Sequence, residues 1–191
     1  PGKLYFSDKE INQAEIVFKQ AKKYWYEKNA EKYEGIIFFE SSATRSHRAK
    51  FENKYNNLDW GYENWKKLIN NISSKFLIIQ SSHENTKILD NTFISNKLGF
   101  RESCALMSKC DLYIGSHGGF SHVAAALKKK AVVYFGGWVS PDILGYQTHH
   151  NIYFNNTSSP CGSVGINCDH CKKAREFIKP DIFEEKILSY F

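Results

Sequence analysis

Hydrophobic positions along this chain switch repeatedly between helical spacing and short continuous runs, and the order of the switches predicts the fold. From about Asp8 to Tyr26, Ile11, Ala14, Ile16, Val17, Ala21 and Trp25 recur at helical spacing among lysines. Ser7 with Glu10 three positions on is the capping-box pattern that starts such a helix. Glu34 to Glu40 reads as the first strand, apolar enough between its two glutamates to be central in a parallel sheet. Gly61 to Ile72 returns to helical spacing with Trp65, Leu68, Ile69 and Ile72 on one side, and Lys75 to Gln80 is a second buried strand. Thr92 to Ser95 reads as a short strand, Phe100 to Lys109 as a helix, Asp111 to Gly115 as a strand, and Phe120 to Leu127 as a small-residue helix. Ala131 to Phe135 and Asn151 to Phe154 read as strands, and Asp181 to Phe191 as a closing helix with Ile182, Phe183, Ile187 and Leu188 on one face. Strands separated by helical stretches predict an α/β, Rossmann-like doubly wound parallel sheet with helices on both faces. Residues 1–33 read as an extended segment and helix leading into a domain of residues 34–191.

The stretch CDLYIGSHGGFSHVAAALKKKAVVYFGG, from Cys110 to Gly137, is a βαβ unit with the loop Ser116–Gly119 at a strand's carboxyl end, where such folds bind ligands. Gly118 and Gly119 lack the β-carbons that would hold a ligand off the backbone, and the following helix aims its N–H groups at the same place. A diphosphate is the expected occupant; the competing reading is that the glycines only turn the chain. His117 precedes the pair, His122 lies one turn into the helix, and Gly136 and Gly137 end the next strand on the same edge. The segment from Ser41 to Lys54 leaves the first strand's end rich in hydroxyls and bases, including Thr44, Arg45, Arg48, Lys50 and Lys54. It reads as the second half of a phosphate site or as a solvated loop. Glu84, in the exit loop of the second strand, reads as an acceptor for ribose hydroxyls or as an exposed charge. The loop from Trp138 to His150, with Tyr146 and the pair His149 and His150, has the rings to stack on a base or close over a sugar.

Charge and cysteine content add to this picture. A net charge of +6 favours anionic partners, whether nucleotide sugars, nucleic acid or an anionic membrane face, although lysines spread along the chain read first as a solvated surface. No run approaches the roughly 20 apolar residues of a membrane span and no signal peptide opens the chain, so a soluble, intracellular protein is expected. A start at Pro1 reads as a fragment or a processed product. Cys161, Cys168 and Cys171 with His170 have the donor chemistry of a tetrahedral zinc site, and Cys168 with Cys171 makes a C-x-x-C knuckle. His170 lies between the knuckle cysteines and is not expected to turn to the same ion. A disulfide or redox pair and reduced structural thiols are the alternatives. Cys104 and Cys110 read as packing residues.

The sequence SHGGFSH, its small-residue helix, AVVYFGG and a cysteine cluster before the terminal helix resemble the C-terminal half of family 9 glycosyltransferases. These are the heptosyltransferase-like enzymes of bacterial lipopolysaccharide and surface-glycan assembly. The likeness runs from about Ile36 to Ile187 and is strongest at Tyr113 to Gly137. It implies a GT-B architecture, two Rossmann-like domains facing across a cleft, with this half holding a nucleotide-sugar donor and an N-terminal acceptor domain missing from the chain. The family loop reads D-[ST]-G-x-S-H, so Gly119, Ser121 and His122 match its glycine, serine and histidine, while His117 stands where the acid belongs. That departure leaves the donor's identity open. Lys54 best matches the family's basic residue facing the donor phosphates, with Arg48 as competitor, and Thr44 and Glu84 fall near positions that touch the nucleotide. The implied reaction is inverting sugar transfer to a glycan or lipid-linked acceptor at the cytoplasmic face of the inner membrane. It needs no catalytic metal or other cofactor and no nucleic acid, and its general base is expected in the N-terminal domain. A nucleotide-sugar epimerase of GT-B architecture and a non-enzymatic basic α/β module binding nucleic acid or anionic surfaces are the other readings.

Overall fold

The central strands of this chain are buried along almost their whole length, so they need cover on both faces, and helices on both sides of one sheet supply it. The computed structural model describes residues 2–41, 57–83, 86–96, 98–155, 160–162 and 168–191. Its strands are β1 (Gly35–Glu40), β2 (Phe76–Ser81), β3 (Phe93–Ser95), β4 (Leu112–Ser116), β5 (Lys130–Gly136) and β6 (His150–Tyr153). The helices are α1 (Asp8–Lys28), α2 (Tyr62–Ile72), α3 (Phe100–Ser108), α4 (Gly119–Ala126), α5 (Pro141–Leu144), α6 (Asp169–Phe177) and α7 (Pro180–Leu188). All pairings are parallel and the strand order is β3-β2-β1-β4-β5-β6, the doubly wound arrangement the sequence predicts.

Successive strand residues feed opposite cores. Phe38, Tyr113, Val133 and Phe135 pack with Ala14, Val17, Ala21 and Trp25 of α1, Leu106 and Met107 of α3, and Phe120 and Val123 of α4. Ile37, Phe39, Ile114, Val132 and Tyr134 pack with Trp65, Leu68 and Ile69 of α2 and Phe183 and Ile187 of α7. Trp60 is the hub of this second core: its ring stacks on Phe183 at 4.4 Å and meets Trp65 edge-on at 4.7 Å. Its indole N–H donates to the Ile178 carbonyl at 2.9 Å, which holds the chain before α7 against the sheet.

Helix α1 starts at the expected capping box, with Glu10 N–H donating to Ser7 Oγ and Ser7 N–H to Glu10 Oε2. Glu10 also pairs with Arg101 of α3, and Lys109, the residue after α3, donates to Glu15 at 2.6 Å, so two ion pairs tie α1 to α3 and its C-terminal end. The inward stripe of α1 is narrower than the sequence suggests, because Ile11 and Ile16 are exposed. In α7, Leu188 likewise faces solvent while Phe183 and Ile187 are buried. Two helices lie where no helix was expected. Helix α5 is one turn within the loop from Trp138 to His150, started by Ser140, whose hydroxyl accepts from Asp142 N–H, with Pro141 at the first helical position. Helix α6 buries only Cys171 and Ala174. No described helix is long and apolar enough to cross a membrane.

Candidate functional site

Strands β1 and β4 are neighbours, but their connections leave to opposite sides, β2 flanking one and β5 the other. That is the switch point of a doubly wound sheet, and the crevice outside it is the place for a ligand. From β1 the crevice receives Glu40. Its register partner is Gly115 of β4, which precedes the loop at Ser116–Gly119. Glu40 is half-buried as a residue, but its carboxyl is enclosed, and burial pushes its pKa up to about 8 against a partial offset from the Tyr113 hydroxyl. The carboxyl is therefore mostly protonated at neutral pH. The Tyr113 hydroxyl lies 3.1 Å from the Ser116 carbonyl and 3.4 Å from Glu40 Oε2. It has a single proton to donate, whereas a protonated Glu40 can donate the second bond itself. This pair joins the end of β1 to the start of the loop. Nothing in the sequence singles out Glu40, since an acid at a strand end looks like an exposed charge and only the buried Tyr113 beside it shows otherwise.

The loop itself leaves backbone uncovered. Gly118 has extended torsions, φ 165° and ψ −158°, that any residue adopts, and a β-carbon there would meet nothing within 4 Å. At Gly119 a β-carbon would only touch the Phe100 ring at 3.4 Å. Neither glycine is demanded by the turn, so what the pair provides is open space over the first residues of α4. The N–H groups of Gly119 and Phe120 open that helix and have no acceptor within it. The Ser121 hydroxyl is committed to the turn, accepting from Gly118 N–H at 3.0 Å and donating to the Gly118 carbonyl at 2.8 Å. Its contribution is to hold the loop.

The two loop histidines part company. His117 is 5% exposed, its ring sandwiched between Phe135 at 4.9 Å and Trp138 at 5.1 Å. Burial, with a smaller repulsion from His122, lowers its pKa to about 4, so it is neutral at physiological pH. Its Nδ1 is buried with no protein partner among the described residues. His122 is exposed on α4, with Nδ1 2.9 Å from the Tyr146 hydroxyl. Tyr146 in turn packs on His149, which is buried and whose pKa falls to about 4 for the same reasons. The loop from Trp138 to His150 thus brings Tyr146 and His149 to His122, while His150 turns away toward Ser189 and Tyr190 of the last helix's end.

Gly136 and Gly137 serve the protein's own packing. Gly136 has φ +63° and sits where the β5–β6 ladder shifts register, and a β-carbon on it would strike the Tyr134 hydroxyl at 2.6 Å. Gly137 lets α6 approach, its missing β-carbon being 2.7 Å from His170 Nε2 and 3.3 Å from Ala174 Cβ. Thr44, Arg48, Lys54 and Glu84 lie outside the described residues. Cys161, Cys168 and Cys171 come together, their sulfurs all within 4.8 Å of one another, and form a group able to hold a metal ion. His170 is not part of it; its ring packs on Phe154 at 5.4 Å.

Residues 40–169 match the model of glycosyltransferase family 9 (heptosyltransferase). The chain belongs to that family. Among solved structures, this family 9 chain superposes on a family 9 glycosyl transferase from Veillonella parvula with a TM-score of 0.67 at 12% identity, covering 98% of this chain and 53% of that one. It superposes on the Escherichia coli ADP-heptose lipopolysaccharide heptosyltransferase II with a TM-score of 0.63 at 15% identity, again covering 98% and 53%. The iron-containing dodecameric glycosyltransferase TibC of enterotoxigenic E. coli matches with a TM-score of 0.62 at 14% identity over 81% of this chain and 44% of that one. No curated protein sequence matches. At these identities the likeness concerns the fold, and the chain spans about half the length of the structures it matches.

Proposed function

We propose that this chain is the donor-binding domain of a two-domain, GT-B glycosyltransferase, residues 34–191 forming the nucleotide-sugar site and residues 1–33 leading into it. The observation that carries the reading is the Gly118–Gly119 opening: two glycines required by neither torsion nor packing, at the helix end beside the switch point. Family membership and a fold neighbour named for ADP-heptose support a nucleoside-diphosphate sugar as the ligand. The diphosphate lies over Gly118 and Gly119 against the N–H groups of α4, where His122 approaches it. In this reading Lys54 or Arg48 faces the phosphates from the β1 side, and Thr44 and Glu84 contact the nucleoside. His117, neutral and enclosed between rings, stands in place of the family's acid, so the donor sugar meets no carboxylate at that position.

Transfer is inverting: an acceptor hydroxyl of a surface glycan or lipopolysaccharide precursor attacks the anomeric carbon, and the helix-end amides stabilise the leaving diphosphate. The proton of that hydroxyl goes to a base on the N-terminal domain, and the reaction takes place at the cytoplasmic face of the inner membrane. No step requires a metal. A zinc ion on the three cysteines is structural in this reading, since the thiols sit on α6 and its approach rather than in the donor loop.

The test is calorimetric titration with ADP, GDP, UDP and CDP, repeated on Gly118→Val. One diphosphate is expected to bind at micromolar Kd. The variant, whose side chain enters open space, is expected to keep its melting temperature and bind at least tenfold more weakly, about 1.4 kcal/mol. Failure of every diphosphate to bind, or equal binding by the variant, refutes the reading.

A further inference from the structure

Three of the five cysteines meet at a point the donor site does not use. Cys168 is the residue before α6, Cys171 lies in that helix's first turn and is buried, and Cys161 arrives from the segment after β6. The sulfurs of Cys161 and Cys171 are 3.1 Å apart, and all three lie within 4.8 Å of one another. Three thiolates bound to one ion at the usual Zn–S length of about 2.3 Å stand roughly 3.8 Å apart, inside that range. A disulfide would use two of the sulfurs and give the third no reason to converge.

The surroundings give the cluster a task. The Cys161 N–H donates to the Gly137 carbonyl at 3.0 Å and the Gly162 N–H to the Trp138 carbonyl at 3.1 Å. Gly137 is also where His170 and Ala174 of α6 press on the sheet's edge. The segment carrying Cys161 and the helix that Cys168 precedes and Cys171 belongs to therefore meet at Gly137, and the first of them also holds Trp138. Trp138 in turn stacks on His117 at the head of the glycine loop.

We propose that Cys161, Cys168 and Cys171 hold one thiophilic divalent cation of the zinc class, with its fourth position taken by an exogenous ligand, and that this clasp fixes the Gly137–Trp138 backbone behind the loop. Binding converts the three thiols to thiolates and releases their protons, leaving a site of net charge −1 with no change of oxidation state. Only the description of that loop as a donor loop rests on the proposed function; the cation site is argued without it.

The test begins with the metal content of the purified chain kept reduced, followed by chelation and titration with Co²⁺. Close to one metal per chain is expected, with a thiolate-to-cobalt charge-transfer band that disappears in Cys168→Ser and persists in Cys104→Ala. Amide hydrogen exchange at Cys161 and Gly162 is expected to accelerate at least tenfold when the metal is removed and to slow again when Zn²⁺ is restored. A chain that carries no metal and shows no cobalt band overturns the site, as does a band that survives Cys168→Ser or a mass showing two of the three thiols oxidised to a disulfide. Exchange that ignores the metal overturns the clasp. Metal binding with no nucleotide binding would sink the donor reading and leave this site standing, whereas nucleotide binding by a chain that takes up no metal would do the reverse.

Discussion

Replacing Glu40 with glutamine preserves the size and hydrogen-bonding reach of the side chain but removes its ability to ionise. In the folded chain burial holds the Glu40 carboxyl at about 8, against an ordinary value of 4.5. Between those values the native state keeps a proton that the unfolded chain has lost, so stability conferred by the neutral acid is complete below pH 4.5 and drains away as pH rises to 8. The slope is about 1.4 kcal/mol per pH unit, an upper bound of about 5 kcal/mol over the whole window. His117 and His149, lowered to about 4, give the opposite slope, but only between about pH 4 and 6.5. Measuring from pH 6.5 to 8.5 separates the two effects. Urea unfolding of parent and Glu40→Gln at both pH values gives a double difference in which every other titrating group cancels. The variant is expected to gain about 2 kcal/mol on the parent across that interval. A difference constant to within about 0.5 kcal/mol would show that the carboxyl is ionised and solvated in the fold, and the argument for a neutral acid at the switch point would fail.

Gly115→Ala drives a β-carbon into the Tyr113 hydroxyl and to 2.9 Å from the Glu40 carbonyl, so a loss of about 2 kcal/mol is expected in urea unfolding, with unchanged stability refuting that close contact. His117→Phe keeps a ring between Phe135 and Trp138 but cannot be protonated. Because the depressed imidazole stabilises the fold above about pH 6.5 and loses that contribution as pH falls to about 4, the variant should lose up to about 3 kcal/mol less than the parent over that range, read from melting at several pH values.

Much of the sheet is legible in the sequence because its central strands are buried on both faces, so each carries a short, largely apolar run between helical stretches. Helix α6 is not legible: its two buried residues are Cys171 and Ala174, a thiol and a methyl group, and a stripe that small carries no periodic signal. Ile11 and Ile16 mislead in the other direction, since Ala14, Val17, Ala21 and Trp25 already fill the face that α1 turns inward. The cysteines were legible as chemistry but not as geometry. Only the fold decides that Cys161 reaches the start of α6 while His170 turns to Phe154.

The glycine pairs show most plainly what a sequence withholds. Gly118–Gly119 and Gly136–Gly137 each end a strand at the same edge, and on sequence alone either could admit a phosphate or merely turn the chain. At Gly136 the backbone needs a positive φ, and at Gly137 a helix fills the vacated space, so both are explained from within the protein. At Gly118 neither explanation applies, because the torsions are ordinary and the space is empty. A residue whose special property the fold does not use points outward, toward something the fold must meet. By the same reasoning the buried Nδ1 of His117 and the enclosed carboxyl of Glu40 are costs that packing alone does not explain. Glu40 ends β1 and the glycine loop follows β4, with the His117 ring set back against Phe135 of β5, so a ligand reaching the crevice between β1 and β4 would meet the glycines' open backbone first.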